Sequence, residues 1–139
     1  MHPAYSDRIW QHFEKPVNVG RLDADAARVG TGCAGEAAHG EMVRVQVRVN
    51  EAGAVEAARF KAQGSVALIA CGSLATQQLA GGGAEPDAGW LSETLGLAPV
   101  DRTAALLVED AWREALADAR GRADGACDRT GTEHCGTGE

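Results

Sequence analysis

Between Met42 and Val49, Val43, Val45, Val47 and Val49 alternate with Arg44, Gln46 and Arg48. A two-residue period with β-branched side chains on one side describes a strand that buries one face. Asn50-Glu51-Ala52-Gly53 reads as a hairpin turn. A return strand from Ala54 to Ala62 then sets Ala58, Phe60 and Ala62 on one face and Arg59 and Lys61 on the other. The pattern breaks at Ala57-Ala58, which predicts a bulge. A chain with this hairpin must cover one apolar face of an antiparallel sheet, and the flanking segments supply the cover.

Ser6 caps a short helix bearing Ile9, Trp10 and Phe13; Pro16 ends it and Asn18-Val19-Gly20 turns the chain. A weak strand is expected over Ala26 to Thr31, followed by a loop punctuated by Gly30, Gly32, Gly35 and Gly40. Gly64 stops the return strand, and Ser65 stands as N-cap of a helix reaching Leu79, closed by Gly81-Gly82-Gly83. Pro86 opens a short helix through Trp90, Leu91 and Leu95 that Gly96 ends. Leu97 to Val100 is an extended linker. Thr103 caps a last helix, Ala104 to Arg120, with Leu107, Val108, Ala111 and Ala115 at helical spacing. Trp10, Trp90 and Trp112 read as packing residues on helices.

The fold class is therefore α+β: a small antiparallel three-stranded sheet covered by helices, in a single domain over 1–120. From 121 to 139 the chain offers little to bury and is expected to be a disordered, Gly-rich tail carrying Cys127, His134 and Cys135.

Charge narrows the function. The 139 residues hold 13 Lys and Arg against 20 Asp and Glu, a net charge of −7. Nucleic-acid binding needs a basic face to neutralise phosphates, and an anionic membrane surface needs the same. No run approaches the roughly 20 apolar residues of a membrane span. The opening Met1-His2-Pro3-Ala4-Tyr5 lacks the pattern of a signal peptide. The expected location is the cytoplasm, where Cys33, Cys71, Cys127 and Cys135 read as free thiols or ligands before disulfides. No nucleophile–base pair or phosphate loop stands out, and the glycines from Gly30 to Gly40 do not follow dinucleotide spacing, so no enzyme is expected.

Several segments, in order and spacing, resemble the IscU/NifU N-terminal iron–sulfur scaffold family. They are Tyr5-Ser6 with His12, Glu14, Pro16 and Asn18-Val19-Gly20; Val29-Gly30-Thr31-Gly32; Ala38-His39-Gly40-Glu41; Ala58-Arg59-Phe60-Lys61 followed by Gly64; Leu97-Ala98-Pro99-Val100-Asp101; and Glu109-Asp110-Ala111. The resemblance implies three thiolates from three loops, with one carboxylate, gathered at one end of the sheet to hold a cluster transiently. It places those thiolates at His39, Ser65 and Ala104, the carboxylate at Glu41, and a frequent His at Thr103. None of the three positions carries a cysteine, and none offers a thiol to a sulfur-donating desulfurase.

Two readings follow. In one, the chain is an assembly-related, scaffold-like protein whose cluster site is degenerate, acting as a partner-binding adaptor or accessory factor. In the other, it carries a cluster, iron or zinc through altered ligands: His39, Glu41 and Cys33. His39 with Glu41 is the best surviving metal pair, set against an exposed loop histidine beside a solvated acid. Cys33 reads first as a small buried residue at a strand end, and Cys71 as core. The tail trio matches no closed zinc motif and reads as incidental. Expected partners are proteins of the iron–sulfur assembly or a target-maturation system. The family's chaperone contact falls on Leu97 to Asp101, where Asp101 reverses a lysine's charge and Ala98 replaces a proline; both weigh against that contact.

Overall fold

The structure is a computed structural model and describes residues 5–123, apart from the side chains of Ala37 and Ala123. Helix α1 spans Asp7–Glu14, strand β1 Val29–Glu36, β2 Glu41–Val49 and β3 Val55–Gln63. Helices α2 (Val66–Gly81), α3 (Ala88–Leu95) and α4 (Arg102–Ala123) follow, with 3₁₀ turns at Ala37–His39 and Pro99–Asp101. The three strands pair antiparallel in the order β1-β2-β3. This is the α+β arrangement expected. The tail expectation over 121–139 lies outside the described residues from 124 onward, while α4 itself runs on to Ala123.

The alternating valines do what their period demands. Val43, Val45, Val47 and Val49 are fully buried, as are Ala58 and Phe60 on the neighbouring strand. They meet Leu68, Ala70, Cys71 and Ala75 of α2 and Ala104, Val108, Ala111, Trp112 and Ala115 of α4 in one core. Burying a valine or leucine side chain contributes roughly 1.5–3 kcal/mol. The irregularity in the hairpin lies beside Glu56: Arg48 pairs with Ala57 and Val49 with Val55. That is the bulge the broken pattern signals, one residue earlier than placed.

Strand β1 differs most from expectation. It begins at Val29, not Ala26, and runs past Thr31, so that Gly32 and Gly35 lie inside it with Gly30 rather than in a loop. The reason is the approach of α4. A Cβ on Gly30 would sit 2.1 Å from the carbonyl oxygen of Ala115, and one on Gly32 would sit 2.1 Å from that of Ala111. Helix backbone and strand backbone touch because both sides are small. The same helix finishes the strand's exposed edge: Thr31 N–H donates to Asp118 Oδ2 (3.0 Å) and Cys33 N–H to Glu114 Oε1 (2.9 Å). Carboxylates one helical turn apart thus accept the N–H groups that β2 cannot reach.

On the outer face of the sheet, Gln46 is buried, donating to Thr31 Oγ1 and accepting from Leu22 N–H. Asn18-Val19-Gly20 is more than a turn. It lies parallel to β3, accepting from Phe60 N–H through Asn18 and donating to Phe60 C=O through Gly20. Asn18 adopts φ +62°, a conformation asparagine tolerates better than most residues.

Helix α1 is capped by Ser6, as read from the sequence, and docks on α2. Ser73, fully buried, accepts from Val17 N–H and shares a hydrogen bond with His12 Nδ1 at 2.7 Å. Burial, and then the charge of Arg8, hold His12 below the usual histidine range. The last helix also starts differently. Pro99 opens a 3₁₀ turn that runs straight into α4 at Arg102, so the linker is extended only up to Ala98 and Thr103 lies inside the first turn instead of capping it. Proline's fixed φ and missing N–H suit that first position.

Two outcomes are expected. Gly32→Ala should lower stability by about 3 kcal/mol, since the new methyl meets helix backbone that cannot yield. Gly121→Ala, in the same α4 with open space around it, should raise stability by about 0.5–1 kcal/mol. Denaturant midpoints of both variants check this. For His12, the folded chain favours the neutral ring more than the unfolded chain does. Its contribution is therefore complete above the unfolded pKa of about 6.5 and is lost as pH falls through the lower folded value. Thermal melts between pH 7.5 and 5 should show this loss, and His12→Gln should flatten it.

Candidate functional site

Three segments meet at the end of the sheet where β1 turns into β2 and β3 gives way to α2. The first is the turn Ala37–His39 with Gly40 and Glu41. Gly40 has φ +79°, which lets β1 and β2 pair down to Glu36 opposite Glu41. The second is Gly64-Ser65. Ser65 N–H donates to Glu41 Oε2 at 2.8 Å, joining the two segments directly. The Ser65 hydroxyl accepts from Leu68 N–H at 3.1 Å and caps α2, as expected.

The third segment is the first turn of α4. Along the glycine strand, Gly30 faces Ala115 and Ala119, and Gly32 faces Ala111 and Ala115. Two strand residues, about 6.6 Å, match four helix residues, about 6 Å. Continued at that pitch, α4 reaches Glu36 with its first turn, where Thr103 and Ala104 stand. Asp101, just before that turn, is close enough to Cys71 of α2 to act on its thiol electrostatically. The fold therefore brings His39, Glu41, Ser65, Thr103 and Ala104 to one end of the molecule.

Their side chains are differently disposed. His39 is 78% exposed and pairs through Nδ1 with Glu36 Oε1 at 3.1 Å, not with Glu41. Thr103 is exposed, whereas Ala104 is only 3% exposed and packs into the core. Cys33 does not join them. It pairs in register with Arg44 on the outer face, and its sulfur is in a disulfide. Glu41 has the parity of the inward valines, so the two side chains leave opposite faces of the sheet. Among the described residues, no group of three or more His, Cys, Asp or Glu side chains is placed to hold a metal ion. The expectation of free thiols holds for Cys71, which is free and buried, and not for Cys33. Burial, aided by Asp101, pushes the Cys71 thiol up to about 12, which makes it a core residue and not a nucleophile. Cys127, His134 and Cys135 lie outside the described residues.

The chain matches the family described as NifU-like N terminal domain over residues 4–125. It belongs to that family. Among curated proteins it is 42% identical over 119 residues to the iron-sulfur cluster assembly scaffold protein IscU of Azotobacter vinelandii, covering 83% of this chain and 93% of the relative. The scaffold protein IscU of Escherichia coli is 37% identical over 119 residues, at 83% and 93% coverage. A relative from Drosophila melanogaster, called iron-sulfur cluster assembly enzyme IscU, is 40% identical over 119 residues, covering 82% and 77%.

Membership in this NifU-like family agrees with the resemblance read from the segments above. The match runs from before α1 to the end of α4 and takes in all three segments of the tip. What sequence reasoning missed is the set of partners these residues take: Glu36 for His39, and the Ser65 amide for Glu41. The N-cap signature at Ser65 was the one local clue. No helix among the described residues is long and apolar enough to cross a membrane.

Proposed function

We propose that this chain is a scaffold-like protein of iron–sulfur cluster assembly whose cluster site is degenerate, and that it acts as a partner-binding adaptor or accessory factor. One observation carries the reading. The three tip positions offer an exposed imidazole beside Glu36, a hydroxyl spent on capping α2, and a buried methyl group. A cluster needs soft thiolates that converge on its irons. An alanine donates nothing, and a serine hydroxyl stays protonated at neutral pH. This donor set does not fit a standard cluster, so no step of assembly or transfer is assigned to it.

The scaffold's shape is retained while its sulfur is absent, which suits a protein that engages partners of the assembly machinery without carrying cargo. Val100 is 82% exposed and Leu106 53% exposed, leaving apolar surface beside the tip for such a partner. Asp101 opposes the charge that the family's chaperone segment carries, which weighs against that chaperone as the partner. No catalytic step is assigned either. The His12–Ser73 pair has the elements of a nucleophile and base, yet Ser73 is fully buried beneath α1.

Anaerobic incubation with ferrous iron and sulfide tests this, read by visible absorption and by iron and sulfide content. The chain as it stands should hold no stable cluster. The triple variant His39→Cys, Ser65→Cys, Ala104→Cys should gain charge-transfer absorption with bound iron and sulfide. Stoichiometric iron and sulfide on the unaltered chain would refute the proposal and favour the carrier reading.

A further inference from the structure

Glu41 and His39 are the tip residues whose chemistry still suits a metal, and the geometry of Glu41 argues for another task. Its Oε2 accepts the backbone N–H of Ser65 at 2.8 Å. That amide belongs to the N-cap of α2, where the helix's unpaired N–H groups concentrate positive potential. The bond is charge-assisted and carries the tie between β2 and the start of α2 beyond the last β2–β3 pair, Met42 opposite Gln63. The surroundings are built to admit it. Gly64 has φ +151°, and a Cβ there would lie 2.9 Å from Glu41 Oε2 and 3.0 Å from Gly40 C=O. A side chain at 64 would crowd the carboxylate where it now sits and force it to shift.

Arm length matters. With the backbone fixed, an aspartate would withdraw the carboxylate by about one C–C bond, roughly 1.5 Å, beyond hydrogen-bond reach of the same amide. A glutamine keeps a carbonyl oxygen at the original distance.

We propose that Glu41 is a clamp and not a ligand: it ties the start of β2 to the start of α2 and holds the tip in shape with protein groups alone. The clamp deepens the adaptor reading and takes its purpose from it, since a tip that never receives a cluster needs an internal tie to present a constant surface. Glu41 is thus a positioning residue for whatever docks there.

Arm length and charge make opposite demands under the two roles, which gives the test. On the full chain, amide exchange of Ser65 by NMR and Zn²⁺ binding by calorimetry are measured for wild type, Glu41→Gln and Glu41→Asp. A clamp predicts that Glu41→Gln keeps Ser65 protection within a few-fold, because a neutral bond is about half as strong as a charged one. It predicts that Glu41→Asp loses about tenfold to a hundredfold, as the bond is broken, and that Zn²⁺ affinity is the same in all three. The proposal is overturned if Ser65 exchange is unchanged in Glu41→Asp, or if Zn²⁺ affinity falls tenfold or more in Glu41→Gln yet survives in Glu41→Asp. Failure of the adaptor reading looks different: it is cluster uptake by the unaltered chain, whatever the order of the Glu41 variants.

Discussion

The close approach of α4 to β1 is the contact on which the rest of the molecule depends. Gly30 and Gly32 leave no side chain between strand and helix, and Ala111, Ala115 and Ala119 bring nothing larger than a methyl group on the other side. Asp118 and Glu114 then accept the two edge amides at Thr31 and Cys33. Steric fit sets how near the helix lies, and these bonds set its position along the strand. A shift of one helical turn would move both carboxylates off their donors and drive Cβ atoms into backbone. The position of α4 along β1 in turn decides where its first turn falls, and so whether Thr103 and Ala104 stand beside the other two loops.

At the tip, the proposed reading rests on what the side chains already bind. Here the groups are already committed: His39 to Glu36, Glu41 to the Ser65 amide, the Ser65 hydroxyl to Leu68 N–H, and Ala104 to the core. Each commitment is an ordinary protein interaction, and together they give the family's shape an internal closure. The disulfide at Cys33 and the opposite orientation of that residue keep its sulfur from serving this end.

Much of this was legible in the chain and some was not, for physical reasons. The valines of β2 announce themselves because a two-residue period has one structural solution. Ser65, Gly82 and Gly96 mark helix ends because capping chemistry is local. Gly30 and Gly32 misled, since glycine serves both turns and close backbone approach, and only the position of a helix far along the chain distinguishes them. Thr103 misled because Pro99 starts a helical turn earlier than a side-chain cap would. At the site, the positions emerged from segments matched in order to a known family. Their partners did not, because a carboxylate's choice of a backbone amide 24 residues away leaves no mark on residue identity.

The central claim is that the three tip segments stand together without metal. Pulsed electron–electron resonance between labels carried by unnatural amino acids at His39 and Thr103 measures this directly, with the native cysteines untouched. The account predicts one narrow, short distance in chelator-treated protein that is unchanged when Zn²⁺ or ferrous iron is added. A broad distribution that narrows only on adding metal would contradict it.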